Sequence, residues 1–201
     1  MSDPVDVAYL EGMYAANADP WQIGNGWYEQ RKRELLLGCL PRQRYRSAFE
    51  PGCSAGILTE QLARRADRLL AADLSPVAVR ATRDRVSTLP NVEVRQLLLP
   101  RDWPSGQFDL IVLSELGYFF AESSWTQLCA EVAGSLGQDG TVIACHWRHD
   151  FAERSLSTPA VHECLDASLG LPKQASLVDA DFILEVWTNG GHSVATEEGL
   201  V

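Results

Sequence analysis

Short apolar runs alternate with amphipathic stretches along most of the chain, a pattern of repeated strand and helix units that predicts a parallel sheet. The predicted strands are Ala48 to Glu50, Arg68 to Asp73, Val92 to Leu97, Asp109 to Leu113, Thr141 to His146 and Phe182 to Trp187. Val, Ile, Leu and Phe dominate these runs and few charges interrupt them, as suits strands covered on both faces. Helices fill the intervals. Leu58, Leu62 and Ala66 share a face after the first strand, Val77, Ala81 and Val86 after the second, and Leu128, Val132 and Leu136 after the fourth. The rhythm breaks at the end, where Phe182 to Thr188 is followed by Asn189, Gly190, Gly191 and then His192 to Thr196. This is a hairpin signal, so an antiparallel last strand is expected to close the sheet. The expectation is an α/β, Rossmann-like fold with a seven-stranded, mostly parallel sheet. Residues 1–46 read as a helical lead-in that caps the carboxyl edge of the sheet, where ligands bind in open α/β folds, and residues 47–201 as the core of one domain.

Composition narrows the partners. With 46% hydrophobic and 22% charged residues the chain can bury an ordinary core. A formal charge of −10 works against binding nucleic acid or an anionic membrane, since such affinity rests on Lys and Arg neutralising phosphates. The N-terminus carries Asp3 and Asp6 before any basic residue and lacks a signal-peptide pattern, and no apolar run reaches the roughly 20 residues a bilayer needs. A cytoplasmic location is expected. Five cysteines, without a C-x-x-C pair, point to reduced thiols rather than to a disulfide framework or a zinc site. His146, His149 and His162 have no ligand spacing that would make them a metal site.

The chemistry concentrates in Phe49-Glu50-Pro51-Gly52-Cys53-Ser54-Ala55-Gly56, between a strand and a helix. Small residues there let the backbone turn tightly and approach a ligand. Asp73 ends the next strand, about 20 residues beyond Gly52, where an acid can accept both hydroxyls of a ribose. That pair would serve a nicotinamide or an adenosyl cofactor. A dinucleotide turn wants glycines at its first, third and sixth places, and positions 52, 54 and 57 hold Gly, Ser and Ile. The turn instead follows the form acid-x-Gly-x-x-x-Gly, in which the chain resembles class I S-adenosylmethionine-dependent methyltransferases.

Gly106-Gln107-Phe108-Asp109-Leu110-Ile111-Val112-Leu113-Ser114-Glu115 matches the fourth strand of those enzymes. Asp19-Pro20-Trp21, Trp27-Tyr28-Glu29, the Glu-Pro-Gly-Cys turn, Leu113-Ser114-Glu115 with Tyr118, and His146-Trp147-Arg148 with His162 narrow the resemblance to the nodulation protein S family. Its characterised members N-methylate an amino-sugar oligosaccharide. Two departures stand out. Ser54 replaces the usual middle glycine, and Gln96-Leu97-Leu98-Leu99-Pro100 lacks the Asp that contacts the adenine amino group in many relatives. Without a replacement, a hydrogen bond worth roughly 1.5 to 3 kcal/mol is missing.

The resemblance implies S-adenosylmethionine as cofactor, held by Trp21, Tyr28, Arg31, Glu50, Gly52, Cys53, Gly56, Asp73, Leu74, Leu97, Leu98 and Ser114. Gly52 and its neighbours would lie against the methionine portion, Asp73 would take the ribose, and Arg31 or Arg33 would pair with the carboxylate in a fork. Tyr118, Trp147 and Arg148 would wall a small-molecule or oligosaccharide acceptor. Glu115 and His146, each at the end of a central strand, are expected to act on the acceptor amine as base or orienting group. A methyltransferase of an unrelated metabolite and a non-catalytic binding module remain the alternatives.

Overall fold

In the computed structural model the described residues are Gly12, 26–190 and 193–201. The seven strands are β1 (Ala48–Pro51), β2 (Leu69–Asp73), β3 (Val92–Gln96), β4 (Phe108–Ser114), β5 (Leu136–Trp147), β6 (Lys173–Val178) and β7 (Phe182–Thr188). They form one sheet in the order β3-β2-β1-β4-β5-β7-β6. The first five run parallel, while β7 lies antiparallel to both β5 and β6. All six strands expected from the apolar runs are present. The order reverses at β1, whose neighbours are β2 and β4, and this is the crevice at which open α/β sheets bind ligands.

The antiparallel closure differs from the expectation in place. The hairpin joins β6 to β7 through Asp179–Asp181, where Asp181 N–H donates to the Asp179 carboxylate and Asp179 N–H to Phe182 O. Aspartates mark such turns because their side chains bond nearby backbone. After Asn189 the described residues make no strand: Val194–Glu197 is a short helix capped by Ser193, whose Oγ accepts from Thr196 N–H. Gly191 and His192 lie outside the described residues.

Helices cover both faces. α1 (Trp27–Cys39), α2 (Ile57–Leu62), α3 (Pro76–Arg85), α4 (Glu122–Ser135), α5 (Thr158–Leu169) and α6 (Val194–Glu197) follow in chain order. Alternation along the strands divides the core into two layers. Ile111, Leu113, Val142 and Ala144 pack with Trp125, Leu128 and Val132 of α4 and Val161 and Leu165 of α5. Leu110, Val112, Ile143 and Cys145 face the other way, toward Leu36 of α1 and Leu62 of α2. On α3 the buried face is Ala78, Val79 and Thr82 rather than Val77 and Ala81. No helix among the described residues is long and apolar enough to cross a membrane.

The close approach of α3 to the turn after β1 depends on Gly56, which has φ +75°; an added Cβ would lie 2.9 Å from Thr82 Cγ2 and 3.0 Å from Thr82 Cα. Gly56→Ala is therefore expected to destabilise the fold by about 1–3 kcal/mol, through strain and overpacking. Gly134, in α4 with open space at its Cβ position, provides the contrast, and Gly134→Ala should stabilise by about 0.5–1 kcal/mol. Urea midpoints at constant slope measure both changes; equal effects would contradict the packing described here.

Candidate active site

The turn after β1 takes its shape from three left-handed residues, Gly52 (φ 77°), Ser54 (φ 49°) and Gly56 (φ 75°). Gly52 N–H and Cys53 N–H both donate to Ala72 O at the end of β2. Ser54 carries a side chain where the left-handed region costs roughly 1–2 kcal/mol, and two bonds hold it there. Its N–H donates to Asp73 Oδ2 at 2.9 Å and its carbonyl accepts from Thr82 Oγ1 at 2.8 Å. Asp73 Oδ1 accepts from Ser75 N–H at 2.9 Å, and Ser75 Oγ in turn caps α3, which begins with Pro76. One carboxylate thus joins the turn to the next helix. Burial pushes the Asp73 carboxyl up, and the backbone donors oppose it.

A cavity of about 660 Å³ opens over this turn and runs to the end of β4. Gly52, Cys53, Asp73 and Leu74 line one side with Leu97 and Leu98, while Tyr28, Ser114, Glu115, Tyr118 and Trp147 line the other. Glu50 faces the space between them. It is 3% exposed, and its Oε2 makes no hydrogen bond among the described residues. Burial pushes its carboxyl up to about 8, and the neighbouring Asp73 charge acts in the same direction. Asp102 does not reach the cavity; its Oδ2 accepts from Leu98 N–H at 3.0 Å, which leaves Leu97, Leu98 and Leu99 as an apolar wall.

On the other side Glu115 sits just past β4 at φ 56°, its N–H bonded to Cys145 O at 2.9 Å. Three donors converge on its carboxylate: Lys32 Nζ at 2.7 Å, Trp147 N–H at 3.1 Å and the Tyr118 hydroxyl. Burial and the Glu115 charge hold the Tyr118 phenol well above its ordinary value, so it remains a donor. Burial works against the charge of Lys32, yet Glu115 and Glu29 outweigh it and raise its ammonium above the usual lysine range. Lys32 also lies 5.0 Å from the centre of the Tyr28 ring. Tyr28 meets Trp147 edge-on at 5.3 Å, which fixes α1 against the end of β5.

Four expected site residues lie elsewhere. His146 is fully buried, with Nε2 accepting from Gly117 N–H at 3.0 Å, so it cannot touch an acceptor. Arg31 is turned outward to Asp179 at 2.7 Å, and Arg148 donates to Asp179 O at 2.6 Å. Gly56 supports the turn from behind, against Thr82. Trp21 lies outside the described residues. Arg33 lines the cavity where Arg31 does not, and sequence reasoning missed Glu29, Lys32 and Phe151, which also line it. A charged pair three residues apart on a helix reads as a solvated face; the contact of Lys32 with Glu115, just past β4, joins positions 83 residues apart and leaves no local signal.

A family model described as Nodulation protein S (NodS) matches residues 7–158. Nodulation protein S of Bradyrhizobium diazoefficiens is 33% identical over 138 residues, 68% of this chain and 66% of that protein. Its counterpart in Rhizobium tropici is 32% identical over 105 residues, 52% of this chain and 44% of that protein. The matched stretch therefore spans about two thirds or less of these relatives. Among solved structures, a candidate methyltransferase from Pseudomonas syringae is 42% identical with a TM-score of 0.73, covering 81% of this chain and 99% of that one. N-methyltransferase NodS from Bradyrhizobium japonicum WM9, in complex with S-adenosyl-L-homocysteine, superposes with a TM-score of 0.82 over 94% of this chain and 99% of that one. At 21% identity, that likeness concerns the fold.

Glu50 makes stability depend on pH. With its folded-state carboxyl at about 8 and its ordinary value near 4.5, the folded chain holds a proton that the unfolded chain has released. Stability attributable to this group is complete below the ordinary value and falls as pH rises toward the folded one, by up to about 1.4 kcal/mol per pH unit. Glu50→Gln should remove that slope in urea denaturation across the window. A variant profile parallel to that of the wild type would contradict the assignment.

Proposed function

The chain belongs to the nodulation protein S family, and from that premise we propose that it is an S-adenosylmethionine-dependent methyltransferase acting on the nitrogen of a small amine or amino-sugar acceptor. The observation that carries the proposal is one cavity with a glycine-shaped, acid-edged wall on one side and a carboxylate among aromatic rings on the other. The residues present suit the cofactor. Glu50 offers a buried, unpartnered oxygen to the methionine ammonium. Gly52 leaves the turn flat, since a Cβ there would press on Leu116 Cδ1 at 3.2 Å. Asp73, at the cavity edge, has lone pairs left for the ribose diol, and Leu97 and Leu98 cover adenine. Arg33 is the guanidinium placed to pair with the methionine carboxylate.

The cofactor supplies an electrophilic methyl on a positive sulfur, so the protein has chiefly to align the nucleophile and exclude water. Glu115 receives an acceptor N–H and takes the proton that the nitrogen sheds after transfer. Tyr118 and Lys32 hold that carboxylate in place, and Trp147 and Phe151 give the acceptor an apolar flank. Residues 47–201 form the cofactor-binding core of one domain and α1 its cap; of the lead-in, residues 1–11 and 13–25 lie outside the described residues. The charge of −10 argues against a nucleic-acid acceptor, and five free cysteines suit the reducing cytoplasm.

A screen of amino sugars and small amines for release of S-adenosylhomocysteine tests the proposal. Turnover with at least one amine is expected; cofactor binding without turnover of any would reduce the protein to a binding module. Asp73→Ala should weaken cofactor binding by about 1–3 kcal/mol, the range for losing a bond to a charged group. Glu115→Gln should lower kcat at least about tenfold, with cofactor affinity retained. An unchanged dissociation constant in the first variant, or an unchanged kcat in the second, would remove that residue from its role.

A further inference from the structure

Behind the acceptor side of the cavity runs a chain of buried hydrogen bonds in which every direction is fixed. Gly117 N–H lies 3.0 Å from His146 Nε2, His146 Nδ1 3.1 Å from His162 Nε2, and His162 Nδ1 2.9 Å from Glu185 Oε2. Glu185 Oε1 then receives Lys173 Nζ at 2.9 Å and Ser176 Oγ at 3.2 Å. His146 is 0% exposed and His162 4%, so water does not compete for these positions.

The polarity follows from the two ends. A backbone amide can only donate, so His146 Nε2 carries a lone pair and the ring hydrogen sits on Nδ1. That hydrogen points at His162 Nε2, which must therefore also carry a lone pair. His162 keeps its own hydrogen on Nδ1 and gives it to the carboxylate. Protonating either ring would place two hydrogens face to face or set one against the Gly117 amide. Both rings are thus neutral Nδ1–H tautomers, because the Gly117 amide, which can only donate, and the Glu185 carboxylate, which can only accept, impose the same direction from opposite ends.

The near end is the turn that shapes the acceptor wall. Gly117 begins the 3₁₀ turn Gly117–Phe119, which carries Tyr118 to Glu115, and a Cβ on it would lie 2.4 Å from Val161 Cγ1. On the other flank of the ring, the next residue, Trp147, gives its N–H to Glu115 Oε2. His146 therefore ties together two of the three segments that hold the Glu115 carboxylate, those of Tyr118 and Trp147, without touching the cavity. We propose that His146 is a positioning residue for the acceptor wall, held in one tautomer by a relay through His162 from Glu185 and Lys173. The consequence for turnover rests on the methyltransferase reading above; the tautomers and the geometry of the turn do not.

Nitrogen-15 NMR of the histidine side chains, together with the Gly117 amide and Tyr118 ring signals, tests the relay in the whole protein. The expected result is two neutral Nδ1–H rings in the wild type. Glu185→Gln lies outside the cavity lining, keeps the shape of the side chain and removes the charge. With its oxygen held by Lys173 and Ser176, the glutamine amide turns an N–H toward His162 Nδ1 and opposes the direction set at Gly117, so the variant should mix the tautomers of both rings and shift the Gly117 and Tyr118 signals. It should also lower kcat about tenfold or more, as small misplacements do, with affinity for S-adenosylhomocysteine within about twofold. His146→Gln, whose carbonyl can still accept the Gly117 N–H, should retain more activity than His146→Leu. An Nε2–H tautomer or an imidazolium at either ring would overturn the relay whether or not an acceptor is known. Altered tautomers in Glu185→Gln with unmoved Gly117 and Tyr118 signals would overturn the positioning role. A wild type that turns over no amine, yet shows the expected tautomers and the shifts at Gly117 and Tyr118, would place the failure in the methyltransferase reading alone.

Discussion

The site depends on one carboxylate that serves two backbones. Asp73 ends β2 and accepts the N–H of Ser54 from the turn after β1 and the N–H of Ser75 at the head of α3. Without it Ser54 would have little reason to stay at φ 49°, and the turn could not keep Gly52 and Cys53 open to the cavity. Thr82 completes the clasp from α3, and Gly56 lets α3 come close enough to do so. A half-buried acid so bound is rigid, as the proposed ribose contact requires.

The opposite wall is built by a different device. Glu115 is gripped by Lys32, Tyr118 and Trp147, three donors from three separate segments of chain. Lys32 and Glu29 come from α1, which the edge contact of Tyr28 with Trp147 seats against the sheet. Charge is therefore balanced locally at Glu115, whereas Glu50 carries a burial cost with its Oε2 unpartnered among the described residues. That asymmetry fits one fixed carboxylate for an acceptor and one waiting for a cation.

The parts of this arrangement legible in the sequence are those set by local chemistry. The central strands showed because burial on both faces leaves continuous apolar runs, the edge strand β3 showed through Val92 and Val94, and the turn showed because close backbone approach demands small residues at set places. β6 did not, since an edge strand exposed on alternate positions carries Lys173, Gln174 and Ser176 and reads as loop. Asn189-Gly190-Gly191 looked like a hairpin, but the aspartates at 179 and 181 turn the chain instead, and Asn189 N–H simply bonds Gly140 O. His146 was misplaced for a geometric reason. Along β5 it shares a face with Val142 and Ala144, which points it into the layer under α5 rather than out of the sheet edge. Lys32 was obscured because a charge on a helix shows its burial only through partners distant in sequence, here Glu115.

Calorimetric titration with S-adenosylhomocysteine, and in parallel with NAD, tests the central claim most directly, because the turn, Asp73 and Glu50 together are argued to select an adenosyl sulfur ligand. The account predicts saturable one-to-one binding of S-adenosylhomocysteine and no heat with NAD. Clear binding of NAD with none of the sulfur ligand would contradict it.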